Sequence, residues 1–302
     1  MPRWLLVAAA LLVGASGAGA SPWTLPGGEF YGRASLLGTR SRWQFNDGSD
    51  RVRFLRNGLS RVMGAAVDGA YGAREDLMVS VGVPVLFYHL RDDATMERGK
   101  SLGDIRLSTR YRVLSRRVAL ATEVGVKFPT ATQTDPARIQ VGEGQYDFDG
   151  ALSAGFAWPS APGYSSLDVG YRLRLRDGET GYRPGNEFFC RLDSGYQLGG
   201  RLWARLGLEG SISGMGHTKI FGVDVPARFS NRKLLTAAPG LTLALRDRVG
   251  LDLSASLPLF GRNSYAGSHF FVGLSYNSAG GRTLLNQTNV PNPQAGACCR
   301  IQ

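Results

Sequence analysis

Along the middle of the chain, hydrophobic and polar positions alternate in twos. Between Gly103 and Pro129, Ile105, Leu107, Thr109, Tyr111 and Val113 fall on one side of an extended backbone. Asp104, Arg106, Ser108, Arg110 and Arg112 fall on the other. Past a tight reversal at Ser115-Arg116 the alternation resumes: Val118, Leu120, Thr122, Val124, Val126 and Phe128 oppose Arg117, Ala119, Ala121, Glu123, Gly125 and Lys127. A period of two is a strand signal, because side chains alternate across a strand but wind round a helix. Each arm runs about 10 residues, whereas strands of soluble domains average about 5–6. One face is almost wholly apolar and the other charged. That pattern predicts a hairpin with lipid on one side and an aqueous lumen on the other.

Twelve such segments are expected, at roughly 29–45, 59–74, 77–90, 103–114, 117–129, 144–158, 164–177, 186–198, 201–213, 233–246, 248–260 and 265–278. The connections between them alternate long and short. Long ones fall at 46–58, 91–102, 130–143, 178–185 and 214–232, with a shorter sixth near 261–264; tight ones lie at 74–76, 115–116, 159–163, 199–200 and 247. Outer-membrane barrels have long extracellular loops and short periplasmic turns, and an even strand count returns both ends to the periplasm. An open sheet edge in hydrocarbon would strand backbone N–H and C=O groups at several kcal/mol each, so the sheet must close. The expected fold is therefore all-β: one closed antiparallel transmembrane β-barrel of about 12 strands. Trp43, Trp158, Tyr88, Tyr146 and Tyr196 lie near expected strand ends, where headgroup girdles would sit. Ordinary strand aromatics would look the same.

The ends read differently. Residues 1–20 carry Arg3, an apolar run from Leu5 to Val13 and the small-residue series Ala18-Gly19-Ala20, which predicts a secretory signal peptide cleaved before Ser21. A short periplasmic lead at 21–28, the barrel at 29–279 and a loosely ordered periplasmic tail at 280–302 complete the expected organisation. No stretch approaches 18 consecutive apolar residues, so no transmembrane helix is expected. The formal charge is +11, with 35 Lys+Arg. The arginines alternate with Leu and Val along strands instead of forming a patch, so nucleic acid is not an expected partner. Cys190 and the adjacent Cys298-Cys299 fit no metal-site spacing.

At the central hairpin the sequence resembles a known family. Leu102-Gly103-Asp104-Ile105, Arg110-Tyr111-Arg112 and Val126-Lys127-Phe128-Pro129-Thr130 are similar to motifs of the MetA-pathway phenol-degradation outer-membrane proteins, with Leu25-Pro26-Gly27-Gly28-Glu29 compatible ahead of strand one. Ala131 departs from the glycine usual after Pro-Thr there. The resemblance implies a transporter-like barrel for aromatic or other hydrophobic small molecules in the bacterial outer membrane.

Catalysis finds no support. Barrel lipid hydrolases need a His with a Ser two residues along one strand face. His89, His217 and His269 are followed by Leu90-Arg91, Thr218-Lys219 and Phe270-Phe271. Asp92-Asp93 and Asp147/Asp149 are acidic pairs that could be offered for an aspartyl protease, but charged loop residues are the default explanation. No enzyme, cofactor or metal is expected. The informative surface is the lumen. Its expected lining and constriction residues are Arg106, Arg110, Arg112, Arg172, Arg174, Arg176, Arg191, Arg201, Arg205, Glu123, Asp168 and Glu209. Arg110 and Arg112 with Arg172, Arg174 and Arg176 stand as the constriction. Two readings compete: cross-strand charge pairs that fill a narrow barrel, or excess arginine that draws anions through a low-dielectric wall. The expectation is a monomer in outer-membrane lipid that passes small aromatic or anionic solutes. The alternative is a non-conducting barrel whose extracellular loops bind a partner.

Overall fold

In the computed structural model the alternating segments form twelve long strands: β1 (Phe30–Ser41), β2 (Leu59–Arg74), β3 (Leu77–Arg91), β4 (Ile105–Ser115), β5 (Val118–Phe128), β6 (Asp147–Ala157), β7 (Gly163–Arg174), β8 (Glu187–Gly199), β9 (Leu202–Ser213), β10 (Lys233–Arg246), β11 (Val249–Arg262) and β12 (His269–Asn277). The structure describes residues 22–94, 96–130, 144–178, 180–220, 223–227 and 230–279. The expected signal peptide, the tail 280–302 and most of the loop 130–143 lie outside them.

Each strand pairs antiparallel with its sequence neighbour, and β12 pairs with both β11 and β1, Leu37 lying opposite Phe271. That last ladder closes the barrel and leaves no edge strand in the ring. Short turns join the strands at one end, and the long connections gather at the other. By the outer-membrane rule the short-turn end is periplasmic. Above β3, the segment Met96–Leu102 continues the wall by pairing with Val85–Arg91 before Gly103 bends the chain into β4. A small extracellular sheet joins Trp43–Phe45 to Arg51–Arg53 and Ser264–Tyr265, so Tyr265 belongs to this cap rather than to the last barrel strand.

The burial pattern is that of a protein turned inside out. Leu36, Val67, Val124, Leu152 and Leu173 point outward and are exposed, whereas Asp68, Arg110, Lys127, Asp147 and Asp168 are buried inside. Aromatic pairs mark both rims. Phe30 stacks on Tyr276 at 5.5 Å and Trp158 lies 6.1 Å from Tyr196 at the periplasmic end; Phe128 meets Tyr146 edge-on at 6.0 Å at the other. Tyr88 corrects the sequence reading. It is not in a girdle but points inward, packed with Leu37, Val62, Leu86 and Leu90.

Candidate functional site in the barrel lumen

Strand register sets the lumen chemistry. Directly opposed residues on neighbouring strands share a face, and inward charges oppose one another across successive ladders. Arg33 faces Asp68 (β1–β2), Arg110 faces Glu123 (β4–β5), Lys127 faces Asp147 (β5–β6), and Arg172 faces Asp149 on β6 and Glu187 on β8.

These pairs link into a charged wall over β4–β8. Arg172 donates from Nε to Asp149 Oδ1 at 2.6 Å and from Nη1 to Glu187 Oε1 at 2.7 Å. Arg106 donates to the other Asp149 oxygen, and Arg174 Nη2 donates to Glu187 Oε2 at 2.9 Å. Five groups therefore form one chain, Arg106–Asp149–Arg172–Glu187–Arg174, with an excess of one positive charge. Towards the extracellular end, Lys127 Nζ lies 3.1 Å from Asp104 and 2.9 Å from Asp147, and Gln145 donates to Asp147 at 3.1 Å. Arg110 is buried and bound to Glu123, and Arg33 holds Asp68 at 2.6 Å.

Beside this wall, the extracellular half of the interior carries an apolar cluster on β1–β3: Leu37, Val62, Leu86, Tyr88 and Leu90 pack together, buried, with Phe271 of β12 against them. The periplasmic half is filled by the lead. Thr24 Oγ1 donates to Glu75 O at 2.6 Å, the Gly28 N–H donates to Gly72 O at 2.7 Å, and Leu25 packs on Tyr31, Ala70 and Met78. Trp23 meets Tyr164 edge-on at 5.8 Å, and Tyr164 lies 6.3 Å from Trp203. Two glycines make room. A Cβ on Gly155 would sit 2.3 Å from the Pro22 ring, and one on Gly72 would sit 2.1 Å from Pro26 O.

Against the wall lies a cavity of about 60 Å³, lined by Asp68, Arg106, Glu123, Asp149, Asp168, Phe189 and Arg191 among others. The Phe189 ring carries the Arg172 and Arg191 guanidinium carbons 5.5 and 5.2 Å from its centre, within cation–π range.

Of the expected lining residues, Arg106, Arg110, Arg172, Arg174, Arg191, Arg205, Glu123, Asp168 and Glu209 lie on inward positions of barrel strands. Two lie elsewhere. Arg176 is past the end of β7 in the extracellular loops, where it donates to both Asp224 oxygens at 2.6 and 2.8 Å. Arg201 sits exposed in the periplasmic turn between β8 and β9. Arg112 is low in the barrel and donates to Glu75 O at 2.7 Å, well apart from Arg172 and Arg174. The five expected constriction arginines are thus spread along the axis, because β4 and β7 present their cationic stretches at different heights. Phe189, Glu187, Trp23 and the apolar wall were not anticipated. Phe189 shares the period-two face of the expected lining residue Arg191, so the alternation could have marked it; the β7–β8 register sets it opposite Gly170.

Comparison with known proteins agrees with this architecture. A family model described as the MetA-pathway of phenol degradation matches residues 28–274. No curated protein matches in sequence. Among solved structures, an outer membrane channel from Pseudomonas putida F1 superposes with a TM-score of 0.70 at 13% identity, over 87% of this chain and 99% of that one. The translocator domain of the autotransporter NalP from Neisseria meningitidis gives 0.49 at 11% identity, over 83% of this chain and 89% of that one. The NanC porin gives 0.48 at 8% identity, over 81% and 98%. With a closed twelve-strand ring, an apolar exterior and a family match over most of its length, the chain is an outer-membrane β-barrel belonging to the MetA-pathway of phenol degradation family.

Proposed function

We propose that this barrel passes small amphipathic solutes, an aromatic or otherwise apolar body bearing an anionic group, through its arginine-rich lumen. The observation that carries the reading is the two-sided interior. A solute's apolar part would pack against the cluster of Leu37, Val62, Leu86 and Tyr88 as that cluster opens, while its charge faces the arginine chain. Arg191 supports it further, since this guanidinium lines the central cavity beside an aromatic ring and is in no salt bridge among the described residues.

The cavity's size adds a condition. An apolar cavity of about 150 Å³ takes up benzene, so the roughly 60 Å³ here is too small for an aromatic solute at rest. Passage requires the lead to give way. The second reading, a barrel that does not conduct, rests on the same packed mouth.

Uptake into proteoliposomes separates them. Benzoate is expected to enter faster than glucose, and deletion of residues 22–26 to raise both rates. Arg191→Gln is expected to slow benzoate and leave glucose unchanged. Folded protein that admits neither solute, with or without the lead, would overturn the channel reading in favour of the second.

A further inference from the structure

The outer wall of β1–β3 carries a feature that the lumen reading leaves unused. Outward positions opposed across these ladders form level rungs. Leu36, Ala65, Val85 and Leu102 make one rung, all apolar. One step towards the extracellular end come Gly38, Met63, Phe87 and Lys100. The next rung is Arg40, Arg61, His89 and Arg98. Arg91 stands one step above, opposite Leu59.

These arginines and Lys100 are exposed, and His89 is half-buried among them. Arg61, Arg91 and Arg98 are each close enough to His89 to act on it electrostatically. None of the six groups is held in a salt bridge among the described residues. In the loop above, Asp93 accepts from Asn57 at 2.8 Å and Asp92 from the Ala94 N–H at 2.8 Å.

Like charges directly opposed across a ladder repel. A rung of them on four adjacent strands, about 5 Å apart, calls for anions from outside the chain. Its position names them. The rung lies on the membrane-facing wall, immediately above the aliphatic band and at the long-loop end. At that height the neighbouring molecules are the headgroups of the outer leaflet, whose glycolipid carries phosphates on a sugar core. Other strands end their outward faces at this rim on Phe128, Phe188, Ile212 and Phe270. β10 and β11 end on Lys233 opposite Arg262, but Arg262 is paired with Asp47, so the run of cations without a salt bridge on four neighbouring strands is that of β1–β3 and its extension.

We infer that the rung Arg40–Arg61–His89–Arg98, with Lys100 and Arg91 flanking it, binds the phosphorylated sugar headgroup of outer-leaflet glycolipid. The guanidiniums supply the planar donor forks that match phosphate, while Phe87, Met63 and Leu102 beneath them contact the first acyl carbons. Each surface cation is worth about 1 kcal/mol against an anionic leaflet, so removal of three arginines is expected to weaken retention on the order of a hundredfold.

The test uses the full chain refolded into nanodiscs of phosphatidylcholine doped with diphosphoryl lipid A. Retained glycolipid is counted by native mass spectrometry and melting is followed in parallel. The wild type is expected to keep lipid A and gain melting temperature from it. The triple variant R40S/R61S/R98S is expected to lose both effects, yet to melt no lower than wild type in phosphatidylcholine alone, because its repulsion is relieved. A control that removes three exposed arginines at the periplasmic end, R116S/R246S/R248S, is expected to behave as wild type. If the triple variant does not fold, Arg61→Gln takes its place, with a smaller loss expected. Equal retention by wild type and the rung variant would overturn the assignment. So would equal loss in the periplasmic control, or inorganic phosphate alone giving the same stabilisation, which would mark a free-anion site. Solute flux plays no part in this readout, so its outcome is independent of the channel reading.

Discussion

Asp149→Asn offers the sharpest test of the proposed role of the lumen in selectivity. Asp149 is the shared acceptor for Arg106 and Arg172, and both its oxygens are engaged. The amide keeps the shape and removes the charge. The five-group chain then holds three arginines against Glu187 alone, and its excess rises from one positive charge to two. Removal of one member of a buried pair typically costs about 3–5 kcal/mol. The lower end or less, about 2–3 kcal/mol, is expected here, because Arg172 keeps Glu187 at 2.7 Å and the Arg106 side chain is 25% exposed. The change in field can be sized as well. An unbalanced unit charge about 6 Å from a passing ion, at an effective dielectric between about 40 and 80, contributes about 0.7–1.4 kcal/mol. Chloride gains that much and potassium loses it, which corresponds to roughly a ten- to hundredfold rise in chloride preference over potassium. Reversal potentials across a salt gradient in planar bilayers read this directly, with the heat-dependent gel shift of the barrel confirming folding. An unmoved reversal potential, or one displaced towards cations, would refute the claim that the Arg106–Asp149–Arg172 chain borders the conducting path.

Four further outcomes follow from single contacts. Gly155→Val is expected to expel the lead, since a Cβ there would sit 2.3 Å from the Pro22 ring; Gly150→Val, five residues away on the outward face with nothing within 4 Å, is expected to change nothing. Conductance of the two variants checks this, and equal currents would contradict it. Val124→Arg puts a cation on the lipid face of β5 at a side chain 64% exposed, with an expected cost of about 2–4 kcal/mol in folding into bilayers. In the extracellular cap, hydrogen bonds from Arg262 at 2.9 and 2.7 Å, then from Asn263, hold the Asp47 carboxyl below the usual carboxylate range. A depressed carboxylate contributes stability above its unfolded value, about 4, and loses it as pH falls through the folded value. Protease resistance of the 46–58 loop is therefore expected to persist to about pH 4 and fall below it, and Asp47→Asn to abolish that pH step. Trp23→Ala removes the ring that meets Tyr164 and is expected to raise conductance without lowering the melting temperature of the barrel wall.

The strands were legible because a membrane barrel writes its two environments into alternate residues. Arg106, Ser108 and Arg110 against Leu107, Thr109 and Tyr111 admit only one orientation between lipid and water, and the structure adopts it. Where both faces are apolar the signal vanishes. β3 reads Leu77-Met-Val-Ser-Val-Gly-Val-Pro-Val-Leu-Phe-Tyr-His-Leu90, and nothing in that run says whether Tyr88 or Phe87 faces in; the ladder to β2, which sets Tyr88 beside Val62, decides it. Parity also misleads past a strand's end. Arg176 continues the inward series of Arg172 and Arg174 by number, but β7 stops at Arg174 and the next residues turn outward to Asp224. The lead was illegible for another reason. Pro22–Gly28 has neither period nor charge, and the space that receives it is made by Gly72 and Gly155, residues distant in sequence.

The two halves of the interior differ in how they can change. The charged wall is cross-linked over five strands, with Asp149 and Glu187 each held by two arginines, so movement of a single guanidinium breaks a charge-assisted contact without stranding either carboxylate, and the low dielectric still makes that costly. The lead is held by a few backbone hydrogen bonds, one carboxylate contact from the Gly27 N–H to Glu75 at 3.1 Å, and the burial of Trp23 and Leu25. Full burial of side chains of this kind is worth about 1.5–3 kcal/mol each. A solute that offers its own apolar surface to Tyr31, Met78 and Tyr164 replaces much of that burial instead of losing it. A polar solute of the same size replaces none. On the proposed channel reading, the mouth discriminates by what can substitute for Trp23 and Leu25, the arginine wall discriminates by charge, and a solute must satisfy both to pass quickly.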